Sequence, residues 1–175
     1  MVTIRPCQEQ DLVLLRAYIP TPGQPDRHDK RFERQQSGRS TFLIAWAGDL
    51  PVGAGEILWN GCDAPEINQH YLDCPELNGL DVWPAELRSQ GIGTAIISAA
   101  EDLARQRACH RIGLGVDDHN PRAAALYLRL GYQETGRRYL DRYHYFDDDG
   151  IRHEVADPAR FLVKQLELTP GPPDH

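Results

Sequence analysis

No stretch of the 175-residue chain approaches the roughly 18–20 uninterrupted apolar residues that a helix needs to cross lipid, so no membrane span is expected. The start, Met1-Val2-Thr3-Ile4-Arg5-Pro6, also lacks the apolar core of a secretory signal and reads directly into structure. Positive charge is in deficit. There are 19 Lys and Arg against 26 Asp and Glu, and the net charge of -7 argues against a binder of nucleic acid or anionic membrane. No C-x-x-C pair occurs. Cys7, Cys62, Cys74 and Cys109 are too widely spaced for zinc or redox chemistry and read as reduced, passive thiols of a cytoplasmic protein; the same setting disfavours a Cys62–Cys74 bridge. The seven histidines show no H-E-x-x-H or related spacing, so no metal site is expected. Internal repeats are missing as well.

What is present suits one folded domain. Hydrophobic residues make up 41% and charged residues 26%, and the length allows a core without disulfide or metal staples. The domain is expected over residues 1–168, with 169–175 as a disordered Pro-Gly-rich tail. Strands and helices alternate. Val2–Arg5 reads as a strand, and Asp11 as the cap of a helix over Leu12–Tyr18 that Pro20 and Pro22 end. Pro25–Gln36 reads as a polar helix anchored by Phe32. Thr41–Ala47 and Val52–Trp59 form a hairpin about Gly48-Asp49.

Asn60–Glu76, holding Gly61, Pro65 and Pro75, is expected as a long loop, and such loops are often functional. Leu77–Trp83 is a strand ended by Pro84. Ile92–Ala108 has the clearest helical period, with Ile92, Ile96, Ala99, Ala100 and Leu103 on one face. Arg111–Val116 is a strand, and Pro121–Leu130 a helix opened by proline and closed by Gly131. Tyr132–Tyr145 is extended, Asp149-Gly150 marks a hairpin, and Phe161–Leu166 is the last strand.

Charge is unevenly placed. From Arg88 to Arg142 nine arginines face six acids, although the chain as a whole is acidic. The same stretch opens on Leu80-Asp-Val-Trp-Pro-Ala-Glu-Leu-Arg-Ser-Gln-Gly-Ile-Gly-Thr-Ala95, a strand followed by a two-glycine loop and a strong amphipathic helix. Glycines let a ligand approach the backbone, and the unpaired first-turn N–H groups with the helix dipole make an anion site suited to phosphate. Two glycines before a helix can also be a plain turn. A Walker A loop would need lysine after the glycine, where Thr94 stands. A dinucleotide fingerprint would need a small residue where Ile96 stands.

The remaining pattern, Arg/Gln-x-x-Gly-x-Gly/Ala, is met by Arg88-Ser-Gln-Gly91-Ile-Gly93. Here the chain resembles the GNAT superfamily of acyl-CoA-dependent N-acyltransferases. A second segment, Asn120-Pro-Arg-Ala-Ala-Ala-Leu-Tyr127-Leu-Arg-Leu-Gly131-Tyr132, is similar to that family's second cofactor segment. The resemblance covers roughly residues 2–166. It implies a single α/β domain with a mixed, mostly antiparallel twisted sheet, about four flanking helices, and strands splayed at a cofactor cleft.

By the same resemblance, acetyl-CoA is the co-substrate. Backbone groups of Val82 and Trp83 would hold its pantetheine arm. Arg88 lies in the matching loop, and the N–H groups of Gln90, Gly91, Ile92, Gly93 and Thr94 would bind the pyrophosphate. Asn120 would touch the cofactor, and the Tyr127 hydroxyl would act as general acid toward the departing thiolate. A carboxylate is needed to take the ammonium proton. Asp81 and Glu76 are the candidates, with Asp81 favoured, and Glu56 stands on the preceding hairpin.

The expected activity is direct transfer of acetyl to a primary amine of a small cationic molecule, without a covalent enzyme intermediate. Aromatics and acids in the Asn60–Glu76 loop and the Tyr139–Val155 hairpin suggest that acceptor. A protein or peptide acceptor, a non-catalytic acyl-CoA-binding module, and a homodimer through the Tyr-rich hairpin stay open.

Overall fold

The computed structural model describes residues 1–168; the tail expected at 169–175 lies outside them. Seven strands form one sheet: β1 (Thr3–Pro6), β2 (Ser40–Ala47), β3 (Leu50–Leu58), β4 (Glu76–Val82), β5 (Arg111–Asp117), β6 (Gln133–Phe146) and β7 (Arg152–Gln165). Their order across the sheet is β1-β2-β3-β4-β5-β7-β6, antiparallel throughout except for the parallel β4–β5 pair. The helices are α1 (Asp11–Tyr18), α2 (Arg27–Gln36), α3 (Pro65–Asn68), α4 (Ile92–Gln106) and α5 (Pro121–Arg129). None among the described residues is long and apolar enough to cross a membrane.

The continuous apolar run of β2 has a simple cause, since both of its faces are covered. Phe42, Ile44 and Trp46 pack with Leu12 and Leu15 of α1. On the opposite face Ala45 packs with Ile92 and Ile96 of α4, while Leu43 joins Ile97 and Ala100 in the main core. Alternation of side chains along a strand places these two sets on opposite sides of the sheet. The buried stripe of α4, Ile92, Ile96, Ile97, Ala100 and Ala104, follows the predicted helical period.

Several elements differ from the sequence expectation. The stretch expected as a loop at Asn60–Glu76 carries the single turn α3, because Ile67 is fully buried against Cys62, Cys74 and Phe161. The cap of α1 is Gln10, not Asp11; Asp11 sits inside the first turn, accepting Gln8 N–H at 2.7 Å and clasped by Arg5 at 2.6 and 3.0 Å. The last strand begins at Arg152, nine residues before the expected Phe161. Its first half is mostly exposed and is held by pairing with β6, from Phe146↔Arg152 to Tyr139↔Ala159. All four cysteines are free thiols.

Two features of β4 shape the site. First, β4 and β5 pair only at Glu76↔Gly113, supported by Gly113 N–H on the Pro75 carbonyl at 2.9 Å, and beyond that point they part. Second, between Ala54↔Asp81 and Glu56↔Asn78 the β4 strand holds one residue more than its β3 partner, which makes a bulge. Gly79 takes the bend at φ +61°, and a side chain there would collide with the Arg31 guanidinium.

Candidate active site

The β4–β5 split opens a groove of about 850 Å³. One wall is the end of β4, with Leu80, Asp81 and Val82; the floor is the loop and first turn of α4; the other wall is α5 with Asn120, Arg122, Tyr127 and Arg129. The loop is built for backbone access. Ser89 and Gly91 both adopt left-handed φ values, +64° and +87°, and no atom stands within 4 Å of a Cβ built at Gly91. The first bond inside α4 is Ala95 N–H to the Gly91 carbonyl, so the N–H groups of Ile92, Gly93 and Thr94 precede the helical ladder and have no acceptor in it. Arg88, Arg122 and Arg129 add positive charge around this helix end, and Arg122 reaches across to bond Ser89 Oγ. Unpaired N–H groups, a dipole end, arginines and an unfilled space beside Gly91 fit a pyrophosphate-bearing ligand.

The other predicted cofactor contacts are placed as follows. Asn120 lines the groove and also caps α5, its Oδ1 accepting Ala123 N–H at 3.1 Å. Val82 lines the groove, its carbonyl taking Arg88 Nε at 3.3 Å. The Trp83 N–H is engaged by the Val52 carbonyl at 3.0 Å, and Trp83 lies outside the groove walls. Gln90 directs its side chain to the Glu86 carbonyl, and the Ile92 side chain is buried in the core.

Tyr127 stands at a junction. It lines both the groove and a second, inner cavity of about 230 Å³ that continues through the split. Its hydroxyl makes no hydrogen bond among the described residues, and burial raises its pKa above the usual tyrosine value. The inner cavity is also lined by Arg27, Glu76, Asp117, Tyr139 and Asp141. Glu76 is buried at the strand split, accepts Asn78 Nδ2–H at 2.9 Å, and is pushed up to about 6 by desolvation. Tyr139 crosses over β5 into this cavity, which requires Gly115: a Cβ there would collide with its hydroxyl.

The three carboxylates singled out from sequence thus have different surroundings. Glu76 faces the inner cavity. Asp81 is half-exposed on the groove wall, 3.9 Å from Arg88. Glu56 is fully buried and clasped by Arg34 at 2.6 and 2.8 Å and by Arg31 at 3.4 Å, so its charge is consumed in an ion-pair cluster.

The two regions expected to shape the acceptor side do meet. Cys62, Asp63 and Glu66 face Tyr139, Leu140 and Arg142 around a further cavity of about 230 Å³. A larger one of about 660 Å³ lies beneath the β6–β7 hairpin. A contact between segments far apart in sequence lies at its edge. The segment between α1 and α2 docks on the hairpin through Phe146 N–H to the Gly23 carbonyl at 2.9 Å and Gln24 Nε2–H to the His144 carbonyl at 3.1 Å. Arg27 lines this larger cavity and the inner cavity beside Tyr127. Its signal was the 4-and-3 spacing of Arg27, Arg31 and Arg34, which sets three cations on one helix face.

These features define a class: an α/β protein whose sheet is parted beside a glycine-turned helix end, with a buried acid and a buried tyrosine in the gap. The Acetyltransferase (GNAT) family matches residues 12–132, and the chain belongs to that family, which uses acetyl-CoA as acyl donor. Over 101 residues, 58% of this chain and 64% of the relative, it is 31% identical to the uncharacterized N-acetyltransferase YhfO of Bacillus subtilis. Over 94 residues, 53% and 39% of the two chains, it is 32% identical to the uncharacterized N-acetyltransferase MJ1207 of Methanocaldococcus jannaschii. The matches span less than two thirds of these relatives' own lengths.

Among solved structures, the ribosomal-protein-S18-alanine N-acetyltransferase of Escherichia coli superposes with a TM-score of 0.65 at 20% identity, covering 97% of each chain. The spermidine N-acetyltransferase of Vibrio cholerae in complex with CoA and spermine superposes with a TM-score of 0.65 at 16% identity, covering 94% of this chain and 95% of that one. At such identities the likeness is one of fold.

Proposed function

We propose that the chain is an acetyl-CoA-dependent N-acetyltransferase that acts on a primary amine of a small cationic molecule. The observation that carries this reading is Tyr127, buried where the cofactor-type groove meets a cavity holding Glu76. The Gly91–Thr94 backbone, with Arg88 and Asn120, would hold the pyrophosphate end of the co-substrate, and the edge of β4 at Val82 its arm. Bound acetyl-CoA supplies the thioester carbon that the amine attacks and the thiolate that leaves.

Glu76 takes the proton of the incoming ammonium. A carboxyl titrating near 6 is mostly ionised at neutral pH yet basic enough to accept it. Tyr127 gives its proton toward the leaving sulfur, and its raised pKa keeps that proton in place beforehand. The N–C bond forms as the C–S bond breaks, the second proton leaving the nitrogen restores the Tyr127 hydroxyl, and no enzyme nucleophile takes part. Asp81 is the second candidate base; its place on the cofactor side, beside Arg88, favours Glu76.

Arg27, Lys30, Arg34 and Arg142 line the outer cavity under the hairpin, yet Asp117, Asp141 and Asp157 form no ion pair among the described residues, and these acids beside Tyr143 and Phe146 support a cationic acceptor. The inner cavity of about 230 Å³ beside Tyr127 supports a small acceptor over a folded protein. The four free thiols suit a reducing, cytoplasmic setting. β6 is an edge strand exposing Leu140, Tyr145 and Phe146, and we include a homodimer through that edge in this reading, to be read out by light scattering.

The test is calorimetric titration with acetyl-CoA followed by thiol release against an amine panel. Tyr127→Phe should leave cofactor affinity intact and lower kcat by about 100-fold or more. Intact turnover in that variant removes the acid assignment, and absence of acetyl-CoA binding removes the whole reading.

A further inference from the structure

Arg27 opens α2, and its side chain lines both the inner cavity with Glu76 and Tyr127 and the outer cavity under the hairpin. Its guanidinium makes no hydrogen bond and no ion pair among the described residues. The other two arginines on that face, Arg31 and Arg34, share the single carboxylate of Glu56. Arg27 is nonetheless held in place: a Cβ on Gly79 would lie 2.7 Å from its Nη2, so the group rests against the backbone of the β4 bulge.

Three acids, Glu76, Asp117 and Asp141, share the inner cavity with Arg27 without pairing to it. Asp141 stands directly across the strand pair from Asp157, and like charges so placed repel. Burial, then Asp157 and Asp117, hold Asp141 above the usual carboxylate range. The inner cavity therefore has one cation with no ion-paired acid and, beside it, acids with no ion-paired cation, Arg27 acting on Asp141 only at longer range. A diamine would satisfy the acids and set an ammonium near the guanidinium. An amine that also carries a carboxylate satisfies both, and the planar guanidinium matches a carboxylate in two parallel hydrogen bonds.

We infer that Arg27 is a specificity-determining residue that binds the carboxylate of a dibasic amino acid. The reacting amine then lies with Glu76 and Tyr127, and the second ammonium lies toward Asp141 and Asp157. The inference rests on the reading that a small amine is acetylated.

Matched pairs differing only in the carboxylate test it: lysine against cadaverine and ornithine against putrescine, each assayed by thiol release from acetyl-CoA. The amino acid should exceed its decarboxylated partner in kcat/KM by about tenfold or more, chiefly through KM. Arg27→Gln should bring that ratio near one, and Arg27→Lys should keep part of it. Titration of the CoA-saturated protein with lysine should show binding that Arg27→Gln loses. Diamines turned over as well as or better than the amino acids overturn the inference while leaving the small-amine reading standing, and the wild-type comparison needs no variant to fold. A ratio unchanged by Arg27→Gln overturns it equally. No thiol release with any member of the panel overturns both.

Discussion

Arg31 Nη2–H donates to the carbonyl of Gly79 at 2.9 Å while its Nε lies 3.4 Å from Glu56, so one buried guanidinium ties the β4 bulge to the middle of β3. Gly79 is under two constraints there, a positive φ and a guanidinium where its Cβ would be. Gly79→Ala should therefore cost on the order of 2–4 kcal/mol, from left-handed strain and overpacking together. In a chain of this length that corresponds to roughly 4–16 °C in Tm by calorimetry.

Glu56→Gln separates an ion-pair role from a catalytic one. Its loss leaves Arg31 and Arg34 without their counterion, and breaking a buried pair costs about 3–5 kcal/mol. A large fall in Tm with an unchanged pH profile of kcat is expected. A shifted acidic limb would instead give Glu56 a part in proton transfer.

Glu76 links activity to pH with a definite sign. Its ionised form is the base, so kcat/KM should rise through about pH 6, and Glu76→Gln should abolish that limb and lower the rate by about 100-fold or more. Stability runs the other way. The folded state holds this proton more tightly than the unfolded chain. The favourable contribution is therefore complete below the unfolded value of 4.5 and is lost as pH rises through about 6. A shift of that size corresponds to about 2 kcal/mol, so Glu76→Gln should unfold at higher denaturant than wild type at pH 7.5, with little difference at pH 4.

Gly91 carries φ +87° with open space where a Cβ would go. Gly91→Ala should cost about 1–2 kcal/mol in stability and should weaken CoA binding by about tenfold or more, because the new methyl enters the groove. Calorimetry on the variant checks both.

The elements legible in the sequence were those whose signal is local. The α4 stripe from Ile92 to Ala104 is a periodic apolar face, and Pro121 and Gly131 punctuate α5 through their own backbone limits. The outer half of β7 carries no such signal. Residues from Arg152 to Pro158 are mostly solvent-facing, and they are strand because they pair with β6, which the sequence itself marks as extended over Tyr132–Tyr145. The site divides in the same way. The glycine loop announces itself by residue type, whereas the difference between Glu76, Asp81 and Glu56 arises from where β4 leaves β5 and which arginines of α2 come near. The spacing of Arg27, Arg31 and Arg34 shows their shared face, but which of them lacks an acid depends on Glu56 of β3, 22 to 25 residues from Arg34 and Arg31 in sequence.

Because β4 and β5 share a single ladder pair, the hydrogen-bonded sheet is two plates, with β1 to β4 on one side and β5, β7 and β6 on the other, bridged by the side chains of the main core and parted toward the groove. A ligand lodged in the opening becomes a shared wall of both plates, supplying the cross-links that the backbone omits there. Such a protein is sturdiest when loaded, and its resistance to heat and protease reports how full its seam is.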